Sequence, residues 1–147
     1  MSTAALVLVC ALSLLGRSAD RLPPIVLLDT RPAGVSANAE GFVRRDPDAI
    51  YLLTSAPVFQ AAMWAEKFRG ACWDRESLSK IASIIVHEEW HLLHGADERE
   101  AYAAQLTALT MLGFGPHSGL HFSVKRSMQA ALNGSGRSVQ QARVNGR

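Results

Sequence analysis

Two histidines four residues apart, with a glutamate directly after the first, make His87-Glu88-Glu89-Trp90-His91 the part of this chain best suited to chemistry. On a helix, positions i and i+4 share a face, so both imidazoles can reach one Zn²⁺. Glu88 then stands beside the metal, where a carboxylate can take a proton from a bound water. Roughly one random chain in a few hundred of this length would carry the pattern by accident. Its weight therefore depends on what surrounds it.

The surroundings read as a helix. Leu78, Ile81, Ile84, Ile85 and Leu92 recur at helical spacing and place the motif in an amphipathic helix over about Arg75–His94. Asp74 is placed to cap its start, and Gly95 follows its end. Glu89 points away from the face shared by His87 and His91 and is expected in solvent.

Catalytic zinc generally takes three protein ligands and keeps one position for water. His94 shares the histidine face, but positions i and i+7 lie roughly 10 Å apart along a straight helix, too far for one ion. The chain must turn back, and Gly95 is where it can. A second helix opens at Asp97-Glu98-Arg99-Glu100 and runs to about Leu112. Asp97 and Glu100 have the spacing of a capping box, which occupies both carboxylates with backbone N–H groups. Glu98, the first helical residue, is the preferred third ligand, with Glu100 and Asp97 as alternatives. Its structural reading is an acid favouring the positive end of the helix dipole. Tyr102 and Gln105 follow on the face of Glu98 as candidates for supporting a ligand or stabilising an oxyanion. For Gln105, burial against the first helix is the stronger expectation.

His87-Glu88-x-x-His91, followed on a second helix by Asp97-Glu98-Arg99-Glu100-Ala101-Tyr102, resembles the active-site core of zincin metallopeptidases, most of all the glutamate-ligand branch (gluzincins). The resemblance covers about residues 75–112. It implies His87 and His91 as zinc ligands, Glu88 as general base and acid, and Glu98 as third ligand. Two departures stand out. Glu89 is charged where zincins usually carry uncharged residues, and the link from His91 to Glu98 is much shorter than in thermolysin-like members. Asp97 stands where metzincins place their third ligand, but His94 occupies the position of the metzincin glycine, so that alternative ranks second.

Elements ahead of the motif must position it. Ile25–Leu28 reads as a buried strand, and Gly41–Arg45 with Ala49–Leu53 as a hairpin turning at Pro47. Ala56–Phe68 reads as a helix capped by Ser55, with Pro57 in its first turn. A last helix is expected over about Ser123–Leu132. The predicted fold class is α+β: a small zincin-like domain with a short antiparallel sheet, two active-site helices and flanking helices. If a substrate adds to the sheet as an extra strand, Ile50–Leu53 is the candidate edge. His117 and His121, in a glycine-containing loop, are read as surface residues and left out of the site.

Ala4–Leu15 is a nearly continuous apolar run, too short for a comfortable membrane span and of the length of a signal-peptide core. Small residues offer cleavage after Ser18 or Ala19. Residues 1–19 are therefore expected to be a signal peptide or N-terminal anchor, and the protein to be exported: secreted, periplasmic or membrane-anchored. No Lys or Arg precedes the run, and Arg17 is awkward near the cleavage point. A buried N-terminal helix, with a cytoplasmic protein, or an uncleaved segment that associates with membrane are the alternatives. Removal of residues 1–19 would leave Cys72 as the lone cysteine, a packed thiol that can form no intramolecular disulfide.

With 147 residues, 48% of them hydrophobic, residues 20–132 can bury one core but not a separate specificity lobe. A net charge of +2 does not argue for nucleic acid. All 13 acidic residues precede Ala101, whereas Lys125, Arg126, Arg137, Arg143 and Arg147 follow it; residues 133–147, rich in Gly, Ser, Gln and Arg, are expected to be a disordered basic tail. The expected function is hydrolysis of a peptide or protein by one Zn²⁺ per chain, held by His87, His91 and Glu98, with Glu88 and Tyr102 as catalytic residues. The alternative is a non-catalytic zinc-binding interaction domain with the same ligand geometry.

Overall fold

In the computed structural model, which describes the backbone of residues 1–18, 20 and 23–145 and the side chains of these up to residue 134, five helices accompany a small three-stranded sheet. The elements are α1 (Thr3–Leu14), β1 (Ile25–Leu28), β2 (Gly41–Arg44), β3 (Ala49–Leu53), α2 (Pro57–Phe68), α3 (Arg75–His94), α4 (Glu98–Met111) and α5 (Gly119–Asn145). The fold class is a small α+β domain, as the hydrophobic patterning indicates.

The centre of the molecule is α3. Asp74 caps it, its carboxylate accepting the Ser77 N–H. Along α3 Leu78, Ile81, Ala82 and Ile85 are buried together with the small Ser79 and Ser83, and α1, α2, β2, β3 and α4 all pack around the helix. Its last turn is held from outside. The Arg45 guanidinium, just past β2, donates to the His91 and Leu92 carbonyls at 2.7 and 3.1 Å, at the end of the helix where carbonyls run short of helical N–H partners.

The sheet is mixed, which corrects the antiparallel expectation. β3 lies in the middle, parallel to β1 (Ile25 opposite Ile50) and antiparallel to β2 (Gly41 opposite Leu52). The doubly paired strand is the most buried: Ala49, Ile50, Leu52 and Leu53 are buried, whereas the wholly aliphatic β1 and the edge strand β2 are only partly so. Ile50–Leu53 therefore cannot be a substrate-binding edge, because both its sides are already paired. The edge strands are β1 and β2, and β2 is the one that lines the cleft beside α3. Gly41 lets it lie close to α3, since a Cβ there would meet the Tyr51 carbonyl oxygen at 3.0 Å and Ile84 at 3.3 Å.

Helix α1 is a wall of the core. Val7, Cys10, Ala11 and Leu12 are buried against a cluster containing Ile50, Phe59, Leu78 and Ile85. This is the arrangement of a buried N-terminal helix rather than of a segment standing apart; the cleavage position after Ala19 falls outside the described residues. With residues 1–19 retained, Cys10 is disulfide-bonded to Cys72. Three smaller differences concern helix ends. Ala56, not Ser55, precedes α2, without a side-chain cap, and Pro57 fills the first position. The last helix begins at Gly119 rather than near Ser123, because Ser118 accepts the His121 N–H; His121 is thereby buried in α5 instead of lying in a surface loop. At its far end α5 continues to Asn145, across most of the stretch expected to be a disordered tail.

Candidate metal centre

The centre forms where two helices meet at a reversal. Gly95 closes α3 with φ of 109°, a backbone conformation that suits glycine, and its N–H reaches back to the His91 carbonyl. The chain then re-enters helix at Glu98, with the Asp97 carboxylate accepting the Glu100 N–H. Asp97 is thus spent on the cap, as the capping-box spacing implies, and Glu98 faces the histidines from the first turn of α4.

One ligand atom each from His87, His91 and Glu98 can be chosen so that all lie within 4.8 Å of one another, the one group among the described residues able to hold a metal ion. The two Nε2 atoms are 3.2 Å apart, and Glu98 Oε1 lies 3.3 Å from His87 Nε2 and in close contact with His91 Nε2.

The other ring nitrogens explain why the Nε2 atoms face inward. His87 Nδ1–H donates to Gln105 Oε1 at 2.9 Å; Gln105 Nε2 donates to Ser83 Oγ, whose hydroxyl donates to the Lys80 carbonyl. His91 Nδ1–H donates to the Gly95 carbonyl at 2.7 Å. Each step has a donor facing an acceptor, so the Nδ1–H tautomer is favoured in both rings and both Nε2 lone pairs point at one spot beside a carboxylate. Three electron-rich atoms facing one another repel unless a cation or a proton lies between them. This donor set, two imidazoles and a carboxylate, fits a zinc-type ion.

The acid–base properties agree with that crowding. With no metal bound, hydrogen bonds from His87 and then His91 hold the Glu98 carboxyl down at about 2, and the bond to Glu98 raises His91 above its ordinary value. Burial pushes the Glu88 carboxyl up, against the opposing pull of the two imidazoles. Burial likewise raises the Tyr102 phenol to about 12, so it stays protonated at neutral pH and can donate. Its ring stands edge-on to His87, with centroids 4.5 Å apart.

All five residues expected in the site line one cleft of about 710 Å³, walled by Gly41–Val43 of β2, by Lys80, Ile84 and Gln105, and by Val124, Ser127 and Ala130 of α5. β2 has no strand on its outer side among the described residues. The other histidines stay apart: His94 stacks on Trp90 with centroids 4.8 Å apart, and His117 is exposed. Glu89 corrects the solvent expectation, since it is paired with Arg17 at 2.6 Å and its side chain is only 16% exposed.

Sequence reasoning underrated Gln105, which is buried as expected but is also the residue that orients His87. Its position seven residues after Glu98 was the available signal. Ser83, the Gly95 carbonyl and Arg45 were missed; nothing in their local spacing marks them. Compared with protein-family models, with curated proteins and with solved structures, the chain matches none.

Proposed function

We propose that the protein is a zinc-dependent hydrolase acting on peptide bonds, with His87, His91 and Glu98 as the ligands. The observation that carries this reading is the convergence of two tautomer-fixed imidazoles and one carboxylate at the wall of an open cleft. When bound, Zn²⁺ would act as a Lewis acid and lower the pKa of a coordinated water.

The remaining roles belong to side chains. Glu88 follows His87 on α3 and lies in the cleft wall, only 8% exposed. Its carboxyl, raised by burial, sits closer to neutrality than an ordinary glutamate and suits proton exchange: it accepts a proton from the attacking water and returns it to the leaving amine. The Tyr102 phenol keeps its proton and donates a hydrogen bond to the oxygen on which negative charge develops. An extended substrate adds to the outer edge of β2, with its side chains reaching toward α5. A purely structural zinc clamp would fill the remaining coordination position from the protein. The side chains suited to that, His94, His117 and Cys72, stand on Trp90, in solvent and in a disulfide respectively.

The test is bound zinc by elemental analysis in wild type and His91→Ala, followed by a peptide-hydrolysis screen with Glu88→Gln as control. One equivalent in wild type and none in His91→Ala establishes the centre. Zinc retained with hydrolysis lost in Glu88→Gln establishes the chemistry. A wild type that takes up no zinc ends the proposal, and a Glu88→Gln variant as active as wild type ends the mechanism.

A further inference from the structure

Away from the cleft, the end of α2 and the loop after it carry three large aromatic side chains that the core does not use. Trp64, Phe68 and Trp73 are 53%, 63% and 61% exposed. They form one continuous surface. The Trp64 and Phe68 rings are 5.5 Å apart, one helical turn from each other on the face of α2 opposite the buried Phe59, Ala62 and Ala65. The Arg69 guanidinium lies 5.6 Å from the Trp64 ring and 5.5 Å from the Trp73 ring, and the Lys67 ammonium 5.6 Å from Phe68.

The charge on this surface is one-sided. The nearest carboxylates are turned onto the backbone: Glu66 accepts the Cys72 N–H, and Asp74 accepts the Ser77 N–H. Glu76 sits in the first turn of α3, where the helix dipole favours it. Lys67 and Arg69 remain, each with its charge over an aromatic ring.

Apolar surface continues toward α1. This helix is apolar around its whole circumference, and Leu6 and Val9 are exposed. The disulfide holds the Cys10 and Cys72 Cα atoms 5.4 Å apart. Val9 and Trp73, their chain neighbours, are therefore no more than about 13 Å apart at Cα. Twelve residues of α1 span about 18 Å, well short of a hydrocarbon core of about 30 Å. No described helix is long and apolar enough to cross a membrane.

We propose that the face bearing Trp64, Phe68 and Trp73, with Lys67 and Arg69, docks the protein onto an anionic lipid surface. Indole and phenyl rings seat at the headgroup level, and the two cations reach anionic headgroups from among them. Cations beside every ring, with the neighbouring Glu66 and Asp74 carboxylates turned onto the backbone, match an anionic headgroup layer in charge. The docking is peripheral, since α1 is held in the core.

The test uses the full chain with phosphatidylcholine vesicles, with and without phosphatidylglycerol. Co-sedimentation should require the anionic lipid and weaken with salt. Brominated acyl chains should quench tryptophan fluorescence equally in wild type and Trp90→Phe. The exposed double variant Trp64→Ser/Trp73→Ser should lose at least about tenfold in partitioning, and Lys67→Glu/Arg69→Glu should abolish the anionic preference. Absence of vesicle binding, or wild-type binding by both double variants, would overturn the proposal. A dimer in sedimentation equilibrium that the tryptophan variant abolishes would also overturn it, by assigning the face to a second copy.

Discussion

The molecule has two sides built on different principles, joined along α3. On one side, α3, α4 and β2 bring polar groups together: His87, His91, Glu98, Gln105 and Ser83 in a directed hydrogen-bond network, and an open cleft. On the other, α1 and α2 pack apolar surface, and α1 is fastened to the loop after α2 by a covalent bond across 62 residues of sequence. The first side depends on orientation, because a tautomer or a turn out of place removes a ligand. The second depends on burial and tethering, which tolerate more local change. Stability and site chemistry should accordingly separate under mutation.

The largest separation is expected at Glu88. Glu88→Gln should keep metal content and Tm near wild type while turnover falls by about 10²–10⁴-fold, measured on a peptide substrate identified by the screen. The converse is Cys10→Ser/Cys72→Ser. A closed loop of this length contributes about 4 kcal/mol in the chain-entropy picture, so denaturant midpoints should drop strongly. Zinc affinity, measured by chelator competition on the folded variant, should hold. Coupled loss of both would show that the two sides are not independent.

Gln105 sharpens the comparison from the polar side. Gln105→Ala removes the acceptor that fixes His87, and the expected result is about 10–100-fold weaker metal binding in the same competition. Unaltered affinity would reduce Gln105 to a packing residue.

A pH profile of the metal-free protein comes next in size. The Glu98 carboxyl is held down at about 2 from 4.5, so its contribution is complete above pH 4.5 and fades as pH falls toward 2. His91 is raised above 6.5, so its contribution is complete below pH 6.5 and is lost as pH rises through the raised value. The pair should therefore stabilise most between pH 4.5 and 6.5, and Glu98→Gln should flatten the Tm profile there. A difference that grows above pH 8 would contradict these signs. Arg17→Ala, which breaks the partly exposed pair with Glu89, should have the smallest effect, roughly 0.2–1 kcal/mol of stability with metal affinity unchanged.

Much of the polar side was legible in the sequence because its decisive relations are local. The spacing of His87 and His91 places both imidazoles on one face, Asp74 and Gly95 bound the helix, and the Asp97–Glu100 cap leaves Glu98 pointing at the histidines. The rest was hidden because its partners are distant. Glu89 reads as a solvated charge until Arg17, 72 residues earlier, arrives beside it. Ile50–Leu53 reads as an available strand until β1 pairs with it in parallel.

The sequence by itself determined the helix that presents the histidines, the reversal at Gly95, the acid placed to join them and the α+β class. These follow from helical periodicity and capping, in which interacting residues are three or four positions apart. Only the tertiary structure decided that α1 lies in the core, that Cys10 meets Cys72, that β3 is central and β2 an edge, and that Gln105 orients His87. Those depend on which apolar surfaces pair across the chain. Hydrophobic burial is non-directional, so periodicity marks a surface as buried without naming what covers it.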